Sequence, residues 1–275
     1  MGITAGHRPL VTVITPVFNG SNLIQDTIES VLKQTYSPIE YIVIDGHSSD
    51  DTLKKIHAFG DRISTIISEP DTGMYDALAK GLLRAKGEII CYINAGDFFH
   101  PYAVQVAVDI FENPAYSWIT GYRSICNYQN VITHVDLPFR YKRSLIQAGA
   151  YGKGLPYIQQ ESTFWRVSLL ESVDMNFLRN LKFAGDFYLW WSFSKLAELE
   201  IVSSTLGVFK IHENQMSENR EAYLGEIASF ARKRGVITKL SQFFEQLLWS
   251  LHPKLRCKIL NTVLRFDHQS GRWVK

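Results

Sequence analysis

The first half of the chain alternates short apolar runs with segments of helical periodicity. The apolar runs are rich in β-branched residues and are bounded by turn formers. They are Leu10–Thr15, Ile39–Ile44, Ile63–Ile67 and Glu88–Ile93. Because their apolar character is nearly continuous, we expect strands that are covered on both faces. Alternating strands and helices predict an α/β fold with a mainly parallel sheet flanked by helices.

Helical patterns fill the intervals between these strands. They cover Leu23–Leu32, Thr52–Gly60, Met74–Ala85 and Pro101–Phe111. After Tyr122 the pattern is less regular, and two or three helices are predicted within residues 221–266. The other elements predicted there are strands at Val131–Val135 and Thr163–Val167, an aromatic-rich helix at Asp186–Leu196 and extended runs within Ile201–Ile211.

Polar side chains follow each of the four predicted strands. They are Asn19, Asp45, Asp71 and the pair Asn94 and Asp97. In parallel sheets, ligands bind beyond the carboxyl ends of the strands, so we expect these side chains to share one edge. Carboxylate and amide oxygens suit Mg²⁺ or Mn²⁺, which in turn bind polyphosphates. The pattern therefore indicates a site for a divalent cation and a phosphorylated ligand.

Several common enzyme classes lack their motifs in this chain. The turn after the first strand reads PVFNG and has no dinucleotide-binding fingerprint. There is no Walker A sequence and no zinc motif of the H-E-x-x-H or C-x-x-C type. The segment Gly46–Asp50 resembles a hydrolase elbow but ends in aspartate where a small residue is needed.

The composition is that of a folded globular protein. Of the 275 residues, 46% are hydrophobic and 20% are charged, and this excludes intrinsic disorder. We see neither a secretory signal nor an apolar run long enough to span a membrane. Cys91, Cys126 and Cys257 are far apart in the sequence and are expected to be reduced thiols. These features predict a cytoplasmic protein.

The formal net charge of +2 hides an asymmetry along the chain. Residues 231–275 carry ten Lys or Arg against two acidic residues, so the rest of the chain is acidic. The apolar and basic residues of 231–266 are typical of a segment that lies on an anionic membrane, at the inner face of the cell membrane. Packing on the main body of the chain or on a second subunit, as in a homodimer, stays an alternative. A nucleic-acid partner is not expected, because the main body is acidic.

Seven sequence blocks carry a resemblance to a known family. They are Val11–Gly20, Tyr41–Thr52, Ser68–Gly81, Glu88–Asp97, Ile158–Arg166, Ala184–Trp190 and Phe209–Ser217. Their order and spacing resemble family 2 glycosyltransferases, which are inverting GT-A enzymes, and specifically bacterial polysaccharide-type members. The resemblance implies a GT-A domain with a Rossmann-like sheet over residues 1–220, followed by a basic helical extension over 221–275. The nucleotide-binding half would cover about 10–122 and the acceptor-binding half about 123–220.

The resemblance also assigns residues to the nucleotide side of the site. The segment around Pro16, Phe18 and Asn19 would line the nucleotide pocket. Asp45 would bind the base, and Asp71 with Gly73 would hold the nucleoside. Asn94 and Gly96 complete this group.

The remaining assignments concern metal, catalysis and acceptor. Asp97 matches the last acid of the metal-binding D-x-D-like element, whose first acid is replaced here by Asn94 or Gly96. His212 lies where some GT-A enzymes supply a further metal ligand, and Asp186 matches the catalytic base. The expected acceptor residues are Gln160, Glu161, Trp165 and Trp190. Aromatic residues at these spacings also fit a hydrophobic core, and Asp186 also fits a helix N-cap.

Together these features predict an inverting glycosyltransferase. It would move a sugar from a nucleotide-sugar donor, a UDP-sugar by expectation, to a polysaccharide or lipid-linked oligosaccharide. Two alternatives remain open at this point. One is a catalytically silent nucleotide- or carbohydrate-binding protein of the same fold, and the other is a nucleotidyltransferase.

Overall fold

The computed structural model describes residues 7–211, 215, 219–231, 235–252, 255–256 and 262–275. The helices of this part of the chain are α1 (Ile24–Leu32), α2 (Thr52–His57), α3 (Met74–Leu82), α4 (Ala103–Phe111), α5 (Arg143–Gln147), α6 (Met175–Asn180), α7 (Gly185–Phe193), α8 (Arg220–Phe230) and α9 (Val236–Ser250). Short 3₁₀ helices cover Gly60–Arg62, Gln160–Ser162 and Val167–Ser172.

The strands form two sheets. They are β1 (Val11–Val17), β2 (Ile39–Asp45), β3 (Thr65–Ser68), β4 (Ile89–Tyr92), β5 (Phe98–Phe99), β6 (Trp118–Thr120), β7 (Arg123–Cys126), β8 (Ile132–Asp136), β9 (Thr163–Arg166), β10 (Glu200–Val202), β11 (Gly207–Lys210), β12 (Val263–Asp267) and β13 (Arg272–Val274). The large sheet has the order β13-β12-β10-β6-β9-β4-β1-β2-β3, and the small sheet has the order β5-β11-β7-β8.

The large sheet confirms the predicted α/β fold. Strands β4, β1, β2 and β3 are parallel neighbours, with Val17 opposite Asp45 and Asp45 opposite Ser68. Strand β9 is antiparallel to both β4 and β6, so the sheet is mixed around this strand. The carboxyl ends of β1 to β4 therefore meet at one edge, where ligands bind in such sheets.

Hydrophobic residues cover both faces of this sheet. All seven residues of β1 are buried, which explains the near-continuous apolar sequence of this strand. On one face Ile14 and Ile42 pack in a cluster that includes α3 and α7 residues. On the other face Val13 and Val43 pack with residues of α1 and α4.

The C-terminal segment differs in part from the prediction. Helices α8 and α9 confirm helical structure after residue 220, but the helix predicted to reach residue 266 is wrong for Val263–Phe266. These residues belong to β12, which pairs in parallel with β10 and buries Val263 and Leu264 completely. The end of the chain thus extends the main sheet, while a domain boundary at residue 220 stays a prediction. Within the described ranges, no helix combines the length and apolarity needed to cross a bilayer.

Candidate active site

The loops after β1 and β2 are tied together at the carboxyl edge of the sheet. Pro16 is buried within β1, whereas the side chain of Phe18 is 63% exposed. Asn19 has a positive φ of 47°, and its side-chain oxygen accepts a hydrogen bond of 2.9 Å from the Ser49 N–H. The backbone N–H of Asn19 donates to the Ser48 hydroxyl at 2.8 Å. Asn19 therefore fixes one loop against the other.

Asp45 ends β2 and is fully buried. Its carboxylate accepts hydrogen bonds from the N–H and hydroxyl groups of Ser48 and from the Ser68 hydroxyl, the last at 2.7 Å. The acceptor oxygens are thus already engaged inside the protein. Contact with a nucleotide base would require one of these serines to move, and that role of Asp45 stays a prediction.

Asp71 and Gly73 follow β3 and lead into α3. The Asp71 carboxylate accepts a hydrogen bond of 2.8 Å from the Gly73 N–H. It also lies against Gly46, where an added Cβ would clash with a carboxylate oxygen, so a larger residue there would have to displace the Asp71 side chain. Gly73 has a φ of +138° and forms the N-cap of α3. The turn between β3 and α3 is therefore stabilised by the Asp71 carboxylate and needs the backbone freedom of glycine at position 73.

A cleft of about 550 Å³ opens beside this edge and is lined by residues from both halves of the chain. The predicted site residues that line it come from the loop after β4, from the 3₁₀ helix at Gln160–Ser162 and from α7. They are Asn94, Asp97, Gln160, Glu161 and Asp186. Asp97 and Asp186 thus face one cavity although they are far apart in sequence. The other predicted nucleotide-side residues lie at neighbouring strand ends, outside this lining.

Asp97 lies on the sheet side of the cleft and is almost fully buried. Its carboxylate accepts a hydrogen bond of 2.9 Å from the Lys210 N–H, and the Thr27 hydroxyl donates to its backbone carbonyl at 2.7 Å. The preceding Gly96 has a φ of +108°, which suits glycine in this tight turn. Burial raises the pKa of Asp97 to about 7, although Lys210 acts in the opposite direction. A cation at this carboxylate would offset that cost of burial.

Glu161 is a second buried acid of the cleft. Burial raises its pKa well above the usual range, and the nearby Asp97 charge raises it further. Its carboxylate accepts a hydrogen bond from the Gln159 side chain. The side-chain amide of the neighbouring Gln160 donates a hydrogen bond to the Tyr92 carbonyl. Its oxygen accepts a hydrogen bond of 3.2 Å from the Asn94 side-chain amide. These two residues form a wall of the cleft, and their contact with an acceptor stays a prediction.

Asp186 faces the cleft from the second residue of α7. Ala184 occupies the N-cap of this helix, so Asp186 does not serve as the cap. The Asp186 carboxylate accepts hydrogen bonds from the Phe187 N–H at 2.7 Å and from the Tyr75 hydroxyl at 3.4 Å. Burial raises its pKa to about 7, and these hydrogen bonds lower it only in part. Such a carboxyl changes protonation near neutral pH, as a general base requires.

The loop before Asp186 is held by a residue that sequence reasoning missed. The Glu226 carboxylate accepts hydrogen bonds from the backbone N–H groups of Lys182, Phe183 and Ala184, at 2.7 to 2.8 Å. Tyr223, one turn earlier on α8, lines the cleft. Helix α8 thus contributes to the site. Tyr223 and Glu226 belong to no sequence motif, and they lie in the segment that was predicted to be outside the catalytic domain.

The site offers oxygen ligands but few of them. The Asn94 side-chain oxygen is buried without a hydrogen-bond partner and lines the same cleft as Asp97. An amide and a carboxylate oxygen suit Mg²⁺ or Mn²⁺. In the described ranges, no cluster of three or more His, Cys, Asp or Glu side chains could hold a metal by itself. The residues therefore fit a cation that takes its other ligands from a bound diphosphate and water. His212 lies outside the described residues.

Trp165 and Trp190 correct an expectation from the sequence. Both are fully buried, and their rings pack against each other at 5.7 Å between centroids. Trp118 stacks on Trp190 at 5.9 Å. Since no ring face reaches the cleft, these tryptophans are core residues, and their assignment to acceptor binding is wrong.

The sequence comparison decides the family. The profile of glycosyl transferase family 2 matches residues 12–173, more than half of the chain. The chain belongs to glycosyl transferase family 2. An uncharacterized glycosyltransferase of Rickettsia typhi is 25% identical over 244 residues, covering 85% of this chain and 76% of the relative. The chain is thus a glycosyltransferase.

Solved structures show the same fold. TarS 1-349 of S. aureus, in complex with UDP-GlcNAc, has a TM-score of 0.62 at 14% identity, covering 92% of this chain and 79% of that one. Glucosyl-3-phosphoglycerate synthase of Mycobacterium tuberculosis, in complex with Mn²⁺, UDP and phosphoglyceric acid, has a TM-score of 0.56 at 18% identity. This structural match covers 87% of this chain and 80% of the synthase chain. These similarities confirm the GT-A fold.

Proposed function

We propose that this glycosyltransferase is a metal-dependent inverting enzyme that transfers a sugar from a UDP-sugar to a polysaccharide or lipid-linked oligosaccharide. The observation that carries the proposal is that Asp97 and Asp186 line one cleft from opposite halves of the chain. In a single displacement, the base must lie across the sugar ring from the leaving diphosphate. A donor between these two carboxyl groups meets that requirement.

Asp97 and Asn94 are the residues that would hold Mn²⁺ or Mg²⁺ on the diphosphate. A bound cation stabilises the negative charge that develops on the departing diphosphate. The unpartnered Asn94 side-chain oxygen and the buried Asp97 carboxylate support this role. The solved complex of the M. tuberculosis synthase with Mn²⁺ and UDP, a protein of the same fold, is consistent with it. His212 stays a predicted further ligand.

Asp186 would take the proton from the attacking acceptor hydroxyl. A hydroxyl is a poor nucleophile, and a base with a pKa near the working pH assists it most effectively. The raised pKa of Asp186, about 7, meets this condition. The Tyr75 hydroxyl donates to the same carboxylate and holds it in place.

Donor and acceptor would occupy different walls of the site. The strand-end residues Pro16, Phe18, Asn19, Asp45, Asp71, Gly73 and Gly96 would hold the nucleotide. Gln160 and Glu161 would bind acceptor hydroxyls, beside the rings of Tyr157 and Tyr223. The enzyme would act in the cytoplasm at the inner face of the membrane, contacting it through the part of residues 231–266 that precedes β12, because Val263 and Leu264 are buried in the main sheet. A homodimer stays an alternative use of that segment.

The direct test is transfer or hydrolysis of UDP-sugars by the purified chain with and without Mn²⁺, after a thermal-shift screen selects the donor. We expect Asp186→Asn to bind the donor normally and to lose turnover. Asp109→Asn is the matched control, because Asp109 also has a pKa raised by burial but lies on α4, outside the cleft lining.

Three outcomes would contradict the proposal. Wild-type turnover by Asp186→Asn would remove the base from its role. Donor binding without turnover by the wild-type chain would favour the silent binding protein. Release of pyrophosphate from a sugar phosphate and a nucleoside triphosphate would favour the nucleotidyltransferase.

A further inference from the structure

Helix α9 contacts the rest of the protein mainly through polar side chains. The side-chain amides of Gln242 and Gln246 donate to the backbone carbonyls of Lys153 and Gly154, at 2.9 and 3.1 Å. Glu245 is fully buried between them and forms ion pairs with Arg140 and with Lys142. Near its end α9 adds an aromatic contact, where Trp249 packs on Phe139 and Tyr141.

The opposite side of α9 is apolar and exposed. Six apolar residues recur there at the spacing of one helical stripe, which we call the α9 stripe. They are Val236, Ile237, Leu240, Phe243, Phe244 and Leu247. Their exposed fractions range from 54% to 84%, so the described part of the chain leaves the stripe open. The usual orientation of an amphipathic surface helix is thus inverted, and an apolar patch of this kind marks an interaction surface.

The charge around the stripe indicates which partner fits. Residues 231–266 contain eight Lys or Arg, of which Arg256 is buried and paired with Asp136, and a single acid, Glu245. Because Glu245 is buried and paired, no acidic side chain of α9 faces outward, whereas Lys239 is exposed. Three basic residues, Arg232 to Arg234, directly precede the helix in sequence. Two copies meeting through their stripes would bring two strongly basic segments together, which opposes self-association.

We propose that α9 docks on an anionic lipid surface, with the α9 stripe inserted at the boundary between headgroups and acyl chains. Apolar side chains there gain burial, and the basic residues gain attraction to lipid headgroups. Glu245 and its two ion pairs attach the docked helix to the protein body. The inference deepens the membrane contact of the proposed function by naming the helix and the lipid that make it, and its link to the lipid-linked acceptor rests on that proposed function.

Docking through α9 has a consequence for the cleft. Gln246 holds Gly154, and Tyr157, three residues further along the chain, lines the cleft. The lipid-bound helix and the cleft wall are therefore joined by a short segment of chain. This arrangement suits the lipid-linked acceptor of the proposed function.

The test is co-sedimentation of the full chain with vesicles. One set contains phosphatidylcholine alone, and the other contains phosphatidylcholine with about one third phosphatidylglycerol, a composition that gives an anionic surface. We expect binding to the anionic vesicles only, weakened by high salt because the basic residues are then screened.

A pair of matched variants isolates the stripe. Leu240→Ser with Leu247→Ser removes two stripe residues whose exposed fractions are 54% and 55%. Leu83→Ser with Val131→Ser is the control, since these residues are 62% and 54% exposed elsewhere on the surface. We expect the first variant to lose at least about tenfold in vesicle affinity and the control to bind normally. All of these side chains are exposed, so both variants should melt like the wild type.

Three results would overturn the inference. One is that the wild-type chain does not co-sediment with anionic vesicles. Another is unchanged vesicle binding by the stripe variant, which would make the contact purely electrostatic. The third is a wild-type dimer in sedimentation velocity that the stripe variant dissociates, which would make a second copy the occupant. UDP-sugar hydrolysis in the absence of lipid reports on the proposed reaction separately.

Discussion

Replacing Asp186 with asparagine should impair catalysis while stabilising the fold. The substitution keeps the size of the side chain and removes the group that takes the proton. General bases contribute about 10²- to 10⁴-fold, so we expect kcat to fall by that factor while donor affinity is unchanged. In the wild type, kcat should rise about tenfold per pH unit below the pKa of about 7 and level off above it.

The stability effect follows from the same pKa. The folded-state pKa of about 7 exceeds the ordinary value of 3.8, so between these values the native state holds a proton that the unfolded chain has lost. Asp186 therefore costs stability as pH rises through this window, and the full cost is present above pH 7. A shift of about three units corresponds to at most about 4 kcal/mol. Because the side chain opens onto the cleft, we expect about half of that.

The assay combines thermal melts of both proteins at pH 5 and pH 8 with the pH–rate profile. A gain of about 2 kcal/mol corresponds to a Tm increase of about 4–8 °C for a chain of this size. We expect this increase for Asp186→Asn at pH 8 and about two fifths of it at pH 5, where the unfolded chain has already lost the proton and part of the cost is present. An equal change in Tm at both pH values, or a wild-type profile that is flat between pH 5 and 8, would show that the pKa of Asp186 is not raised to about 7.

Three further predictions concern other parts of the site and the core. Glu226→Gln should lower kcat about tenfold with little change in KM for the donor. It should also move the midpoint of the pH–rate profile to lower pH, because the Glu226 charge raises the pKa of Asp186. An unchanged midpoint would leave Glu226 with a purely structural role. Asp97→Asn should abolish the dependence on Mn²⁺ of the thermal shift that a UDP-sugar produces in the wild type, and a retained dependence would place the metal elsewhere. Trp190→Ala should destabilise the fold by about 3–5 kcal/mol in urea unfolding, whereas a loss of acceptor affinity at unchanged stability would restore a binding role for this residue.

The predicted strands correspond to the structure where local sequence determines burial. Strands β1 and β2 are apolar almost throughout because both faces of the sheet are covered, and such runs are visible without any knowledge of partners. Strand β12 was missed for the opposite reason. Its residues are defined by pairing with β10, which lies about sixty residues earlier in the chain. A segment whose apolar spacing also fits a helix does not reveal such a distant contact.

The site residues divide in the same way into those that local sequence predicts and those that depend on contacts distant in the chain. Residues such as Asn94 and Asp97 were predictable because polar groups after parallel strands meet at one edge. Asp186 was identified only by resemblance to a family, since nothing in its own segment places it across a cleft from Asp97. Glu226 acts through backbone groups of a loop about forty residues away, and no sequence pattern encodes that contact. Trp190 was misassigned because composition does not show whether a ring faces a cleft or the core.

The proposed reaction requires that one donor lies between Asp97 and Asp186. The most direct measurement is a crystal structure of the Asp186→Asn variant with an unhydrolysed UDP-sugar and Mn²⁺, because this variant should bind the donor without consuming it. We expect the metal and diphosphate beside Asp97, with the anomeric carbon of the sugar facing position 186 across the cleft. A nucleotide bound outside this cleft, or a sugar directed away from position 186, would contradict it.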